Sequence, residues 1–594
     1  MKYLLYFFLI ISSLVSMGQD LVILHTNDMH SHLNGFSPEA EYTPLVKDDD
    51  PTFGGFSRIA GYIKTEKAIY NDRLMVLDAG DFLMGTLFQT LELGEGFELN
   101  LMKEMGYDFV AIGNHEFDFG PDSLAMIIQK SKKNGPIPQL LFANYKRAKV
   151  DDRQLRNLFN DGTILPYSVV EKNGYRIGLF GLLGIDAEES ILTKYGVEVL
   201  KPKKIAQQTA LYLKKKEKVD LVIALSHSGV QKNKKEEWDG EDVAIGEAAP
   251  DVDIIISGHT HSVLNEAVKA GNAIVVQTGS LGVNVGRLEV SFGPDRKPIV
   301  QYKLVPMNDD IVADGHIQSL IDAKEPEIEK NILKPIGVGF NDIVAETSFD
   351  LVMDELNPNA SNLGPFLADA IYQRVNSENG PGTDVVFVAS GVIRTNISKG
   401  NEGKQNINDA FNLMSLGMGN DNVPGYALSK IYVTGNELKK VMELILAVYN
   451  IKTTYYLFFA GMQVDYNPHK GLFKKVTELR IGNDVDGYQK IATDKRSDQL
   501  IGITANSYMI GFISRLKKMS FGIVNVVPKR ADGSPIEHND FIIDIDPQKE
   551  GVQEAKEWIS IYQYLKQFDD LNGNGIPDIP EIYKSKVNAL TVVQ

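Results

Sequence analysis

Five short segments of the chain gather side chains that can hold metal ions and move protons. They are Asn27-Asp28-Met29-His30, Asp78-Ala79-Gly80-Asp81, Gly113-Asn114-His115-Glu116-Phe117-Asp118, His227 in LSHSG, and Gly258-His259-Thr260-His261. Alone, an Asn-Asp pair is a turn and a single His is a core or surface residue. Five of the ten histidines nevertheless fall inside these segments (His30, His115, His227, His259 and His261), and that concentration argues for one site. The chemistry it suits is hydrolysis of a phosphate ester. Such an ester is an anion that resists attack by water, and two divalent ions ~3.5–4 Å apart neutralise its charge and lower the pKa of a bound water. The pair needs a carboxylate able to bridge and several neutral donors, which are the Asp, His and Asn types present. Imidazole and carboxylate donors without thiolates select Zn, Mn, Co or Fe.

Elements able to position these residues are legible around them. Each motif follows a short β-rich apolar run, and the first half reads as strands at Leu21–Thr26, Leu74–Asp78, Phe109–Ile112, Arg176–Gly181, Leu221–Leu225, Asp253–Ser257 and Ala273–Thr278, alternating with helix-like segments. Ligands at the carboxyl ends of neighbouring strands are where α/β sheets build sites. A charge-rich stretch, Asp314 to Lys330, reads as an exposed helix joining two domains. Beyond it lies a second α/β or α+β region, with a helix over Asn362–Val375, a strand over Asp384–Ala389 and a helix over Thr434–Val448.

The 594 residues exceed what one core organises. A net charge of -17 excludes a protein that grips a nucleic-acid polymer by a basic surface, though metal ions could still draw a small phosphate ester. The absence of Cys excludes disulfides, thiolate metal sites and Cys nucleophiles. Met1-Lys2, the apolar run Tyr3 to Val15 and the small residues Ser16 and Gly18 read as a signal peptide over 1–18, which makes the chain periplasmic or extracellular. No later run approaches the ~20 apolar residues of a membrane span.

The order D-x-H, GD, GNHEFD, H-x-G, GHTH resembles the calcineurin-like metallophosphoesterases, in particular the secreted 5'-nucleotidase family. The resemblance implies a four-layer α/β/β/α sandwich over 20–310, then a linker helix (311–335), a second, substrate-binding α/β (α+β) domain (336–565) and a tail (566–594). It further implies one metal held by Asp28, His30, Asp81 and His261, and another by Asp81, Asn114, His227 and His259, with Asp81 bridging. His115 would stabilise the transition state or protonate the leaving oxygen, and Asp118 would orient it. His25 and His32 would be neighbours of the site rather than ligands.

The resemblance continues more loosely into the second half. Asn362-Leu363-Gly364 matches the family's opening motif there. Ser390-Gly391-Val392-Ile393-Arg394 resembles its phosphate-contacting turn, which makes Arg394 the candidate phosphate ligand. Departures follow. SFDLVMDELNPNASNLG has no arginine where the family often carries them, Met418 or a neighbour stands where a base-stacking aromatic is expected, and only Tyr508 could serve as the second aromatic. Substrate-binding residues are therefore expected at Arg394, Asn362 and Tyr508. Near the end, Asp570, Asn572, Asn574, Ile576, Asp578 and Glu581 fit a twelve-position calcium loop with Gly575 at its sharp turn. Pro577 and Pro580 oppose a following helix, so a structural calcium is expected rather than a signalling site. The reading is an exported dinuclear-metal phosphohydrolase acting on a nucleotide. A non-nucleotide or cyclic ester, or a metal-containing binding protein without turnover, are the alternatives.

Overall fold

The computed structural model describes residues 20–594 apart from 192–196, 295, 355, 379, 450–451, 514–516, 518–519, 521 and 537–540. The leader read in residues 1–18 lies outside the described residues.

Strict alternation builds the first half. In Leu21–Thr26, Val22 and Leu24 face one apolar cluster while Leu21 and Ile23 face another, as a period of two demands. The strand lies between Asn284–Phe292, antiparallel, and Leu74–Asp78, parallel, in a seven-stranded sheet continued by Pro298–Pro306 on one side and Phe109–Ala111, Gln139–Leu141 and Ile164–Leu165 on the other. A six-stranded sheet runs Val268–Ala270, Ala273–Val276, Ile254–Ser257, Leu221–His227, Tyr175–Leu183, Tyr167–Lys172. Leu21, Ile23, Met75 and Leu77 of one sheet share a core with Ile177, Leu179, Ile223 and Ile254 of the other. On the outer faces, the helices Phe56–Tyr70, Phe97–Met105 and Pro121–Asn134 cover the first sheet, and Pro202–Tyr212 and Glu241–Ala248 cover the second. The result is the expected four-layer α/β/β/α sandwich.

The expected exposed helix over Asp314–Lys330 is corrected. Asp314 caps a helix over Gly315–Asp322, which breaks at Lys324 before a short turn at Glu325–Ile328 with Pro326 in its second position. Ile317, Ile321, Ile328 and Leu333 are buried. The charged residues thus coat one side of a segment whose other side is core.

In the second half, Leu428–Thr434, Leu500–Asn506, Val385–Ala389 and Leu457–Ala460 form one sheet. The helix Leu363–Val375 packs on it beside Glu557–Leu565. Thr434 and Glu437 form a capping box that starts the helix Gly435–Val448, as T-x-x-E spacing requires. The residues after 565 are no loose tail: Leu590–Val592 pairs with Met462–Tyr466, and Ile579 and Tyr583 are buried. Among the described residues no helix is long and apolar enough to cross a membrane.

Candidate metal centre and the residues around it

The strands end together and the chain then turns sharply. Asp28, His30, Asp81, His259 and His261 all have left-handed backbone, with φ between 50° and 73°. That conformation costs a non-glycine residue about 1–2 kcal/mol, and its concentration here marks a site the fold is built to present. Gly113 and Gly258 make the approach of the turns possible. A Cβ on Gly113 would lie 2.2 Å from Asp81 Oδ1, and one on Gly258 would lie 2.8 Å from His227 Nδ1.

Three groups of donor atoms converge: Asp28 with His30 and His261, Asp28 with Asp81 and His227, and His30 with Asp81 and His115. His30 Nε2 lies 3.1 Å from His261 Nε2, and His227 Nε2 lies 2.9 Å from Asp81 Oδ2. Asp28, His30, Asp81 and His227 are buried. Burial opposes charge on both Asp81 and His227, yet their mutual attraction wins. The Asp81 carboxyl is held well below its usual range, and His227 is pushed up to about 10. Asn114 Oδ1 and His227 Nε2 are buried without an aligned hydrogen-bond partner. Buried polar atoms are rarely left so, and oxygen and imidazole donors aimed into one cluster fit divalent ions.

His259 departs from the grouping that the resemblance implies. Its main-chain N–H donates to both Asp28 oxygens at 3.0 Å, while its Nε2 lies 3.2 Å from Asp186 Oδ2. His115 Nδ1 sits 2.6 Å from Asp118 Oδ2, and its main-chain N–H donates to Asp81 Oδ1 at 2.8 Å. Burial alone would lower the His115 pKa, but Asp118 and Asp81 outweigh it and hold the ring above its ordinary value. His25 and His32 are buried neighbours. His25 stacks on Tyr302, and His32 Nδ1 bonds the carbonyl of His30.

Further residues, inside the motifs and outside them, support the centre. Glu116 accepts the main-chain N–H groups of Asp81, Leu83 and Gly113. Asn27 donates to Asp28 Oδ2 and to the Gly279 carbonyl, and accepts from Thr278. Asp242 accepts from Ser226 and Ser257 at 2.6 Å each, beneath His227 and His259. The letters N-D and H-E-F-D carried the first two signals. Asp242 had none.

The second half reaches the centre through Arg394, whose Nη2 lies 3.1 Å from His30 Nε2. Asn362 acts as a brace in this structure. Its amide accepts from Val352 N–H and donates to the carbonyls of Asp350 and Lys584. Tyr508 reaches the first half, where its hydroxyl donates to the Ser190 carbonyl at 3.3 Å. The residue stacked on it at 5.2 Å is Tyr426, which follows a turn closed by a Met418–Pro424 bridge.

In the calcium-like loop, Asp570 accepts the N–H groups of Gly573, Asn574 and Gly575, and Asp578 accepts from Leu571. Ile576 N–H donates to Asn574. Glu581 is not with them: it bonds Ser348 and pairs with Lys584. The segment through Pro577 and Ile579 runs instead beside Glu346, whose carboxylate receives the side-chain amides of Asn572 and Asn574.

Residues 21–263 match the calcineurin-like phosphoesterase family, and residues 342–496 match the 5'-nucleotidase C-terminal domain. A trifunctional nucleotide phosphoesterase of Bacillus subtilis is 24% identical over 71% of this chain, which spans only 27% of that longer protein. The 5'-nucleotidase of Rattus norvegicus is 26% identical over 78% of each chain, and a probable 5'-nucleotidase of Treponema pallidum is 26% identical over 82% of this chain and 86% of its own. Among solved structures, the 5'-nucleotidase precursor of Thermus thermophilus superposes with a TM-score of 0.69 over 97% of this chain and 99% of that one, at 20% identity. That likeness is one of fold.

Proposed function

From a chain that belongs to the calcineurin-like phosphoesterases over its first half and carries a 5'-nucleotidase C-terminal domain in its second, we propose an exported phosphohydrolase with two divalent ions that removes phosphate from nucleotides. The observation that carries this reading is the convergence, at the ends of neighbouring strands, of buried carboxylate and imidazole donors beside the His115–Asp118 pair and the Arg394 guanidinium. Asp28, His30, Asp81, Asn114, His227, His259 and His261 would hold the ions, of Zn, Mn, Co or Fe type. When bound, they supply charge neutralisation and an activated water.

The protein's own groups do the rest. Asp118 fixes the tautomer of His115 that carries a proton on Nδ1, and the other ring nitrogen stabilises or protonates the leaving oxygen. Arg394 offers a two-pronged donor that suits a phosphoryl group. Glu116 and Asn27 fix the turns that aim Asp81 and Asp28.

A second reading, a small non-nucleotide ester, draws on the Tyr426–Tyr508 stack. Rings 5.2 Å apart leave no slot for a base between them. The proposal is tested by phosphate release from a panel of 5'-, 3'- and cyclic nucleotides, nucleotide sugars and sugar phosphates, using metal-loaded protein. Turnover of the simple esters alone would exclude the nucleotide. The terminal loop, closed by Glu346, is proposed as a structural calcium site. A chelator-induced drop in Tm that Glu346→Ala abolishes would support it, and an unchanged Tm would refute it.

A further inference from the structure

Two cations of the second half face the metal centre from one ridge. Arg394 follows the turn Ser390–Val392, and Lys452 precedes the turn Thr453–Tyr455. The turns are bonded to each other: Ser390 Oγ donates to the Thr453 carbonyl at 2.6 Å, and Ser390 N–H donates to that of Tyr456 at 2.9 Å. The strands beyond them pair with Ala389 opposite Leu457. Motion of one turn therefore carries the other.

The two cations reach different histidines of the site, Arg394 directly and Lys452 through Asp186. Arg394 reaches His30 at 3.1 Å. Lys452 Nζ reaches Asp186 Oδ1 at 2.5 Å, and Asp186 Oδ2 lies 3.2 Å from His259 Nε2. His30 is part of the donor cluster, and His259 sits beside it, with its main-chain N–H on Asp28 and its ring 5.4 Å from that of His227, so both cations approach the cluster on which an anion would sit. The Lys452–Asp186 pair is only part-covered, with side chains 35% and 46% exposed. Such a pair holds weakly and exchanges its partner readily. Tyr455 supports the stem of Lys452, with the ammonium 5.4 Å from the ring centre. The acidic stretch before Asn362 supplies no competing cation: Asp354 caps its own turn at Leu356 and Asn357.

We propose that Lys452 is the second phosphate-binding cation of this site, resting on Asp186 and transferring to the phosphoryl oxygens of the substrate. Asp186, relieved of the ammonium, keeps its hold on His259, a carboxylate–histidine contact of the kind that orients metal ligands. The inference rests on the phosphohydrolase reading above.

The test is calorimetric binding of inorganic phosphate to the manganese-loaded full chain, with KM and kcat for the best ester of the panel. Lys452→Gln should weaken phosphate binding and raise KM by roughly 10- to 100-fold, the scale of one charge-assisted hydrogen bond. Lys452→Arg should restore most of the loss, and manganese content should not change. Asp186→Asn should instead lower manganese retention. Phosphate binding within twofold of wild type in Lys452→Gln would overturn the assignment, as would an Asp186→Asn profile identical to it. Failure of the wild type to bind phosphate or turn over any ester would sink the parent reading instead.

Discussion

Glu116 Oε2 accepts the main-chain N–H of Asp81 at 3.1 Å and that of Gly113 at 2.6 Å, so one buried carboxylate ties two of the motifs together. Its other oxygen accepts from Leu83. Asp81 has left-handed backbone, and these bonds are what hold it there. Glu116→Ala should weaken metal retention about 10- to 100-fold, the range for residues that support metal ligands. Glu116→Gln should fall between, since only one of its side-chain atoms can still accept. Competition with a chelator reads this out, and unchanged retention would remove Glu116 from the supporting set.

The His115–Asp118 pair should act on the chemical step alone. His115→Ala should lower kcat by about 10²–10⁴, the usual contribution of a positioned acid or base, with bound metal retained. Asp118→Asn should give a smaller loss, because the ring keeps its place but loses the carboxylate that holds its pKa up. A loss of metal in either variant would assign the pair to the metal shell instead.

Arg394 has no carboxylate within ion-pair distance among the described residues, so its removal should not harm folding. Arg394→Ala should raise KM roughly tenfold or more while Tm stays within a degree or so of the parent. A fall in Tm without a rise in KM would make it a brace between the two halves.

Glu557 supplies a pH signature of its own. Burial pushes its carboxyl from the ordinary 4.5 up to about 8, against the pull of the Asn506 amide that donates to both oxygens. The folded state therefore keeps a proton that the unfolded chain has already lost. Stability should fall as pH rises from about 4.5 to about 8 and then level off. Glu557→Gln should raise Tm at pH 9 and leave it nearly unchanged at pH 4.5, because the amide mimics the protonated acid. An equal effect at both values would contradict the shift.

The sandwich was legible because its strands alternate cleanly. Val22 and Leu24 against Leu21 and Ile23 state both faces, and the five motifs mark the strand ends. The linking segment misled because its charges conceal Ile317, Ile321 and Ile328, which recur at helical spacing. Glu116 was in plain view, but its task is main-chain hydrogen bonding, which residue type does not announce. Lys452 and Asp186 could not be paired from sequence, since 266 positions separate them and only the docking of the two halves joins them. Tyr426 was missed because the Met418–Pro424 turn separates it from the Leu413–Gly417 stretch on which the reading was centred. Glu346 was missed because 226 positions separate it from Asn572, whose side-chain amide donates to it.

The most direct test is phosphate release from a nucleoside 5'-monophosphate by the full chain, with the bound metal counted in the same sample. The account predicts two divalent ions per chain and turnover that stops on chelation, returns with Mn or Zn, and is nearly abolished by His115→Ala. Two bound ions with no release from this or any other ester would contradict it.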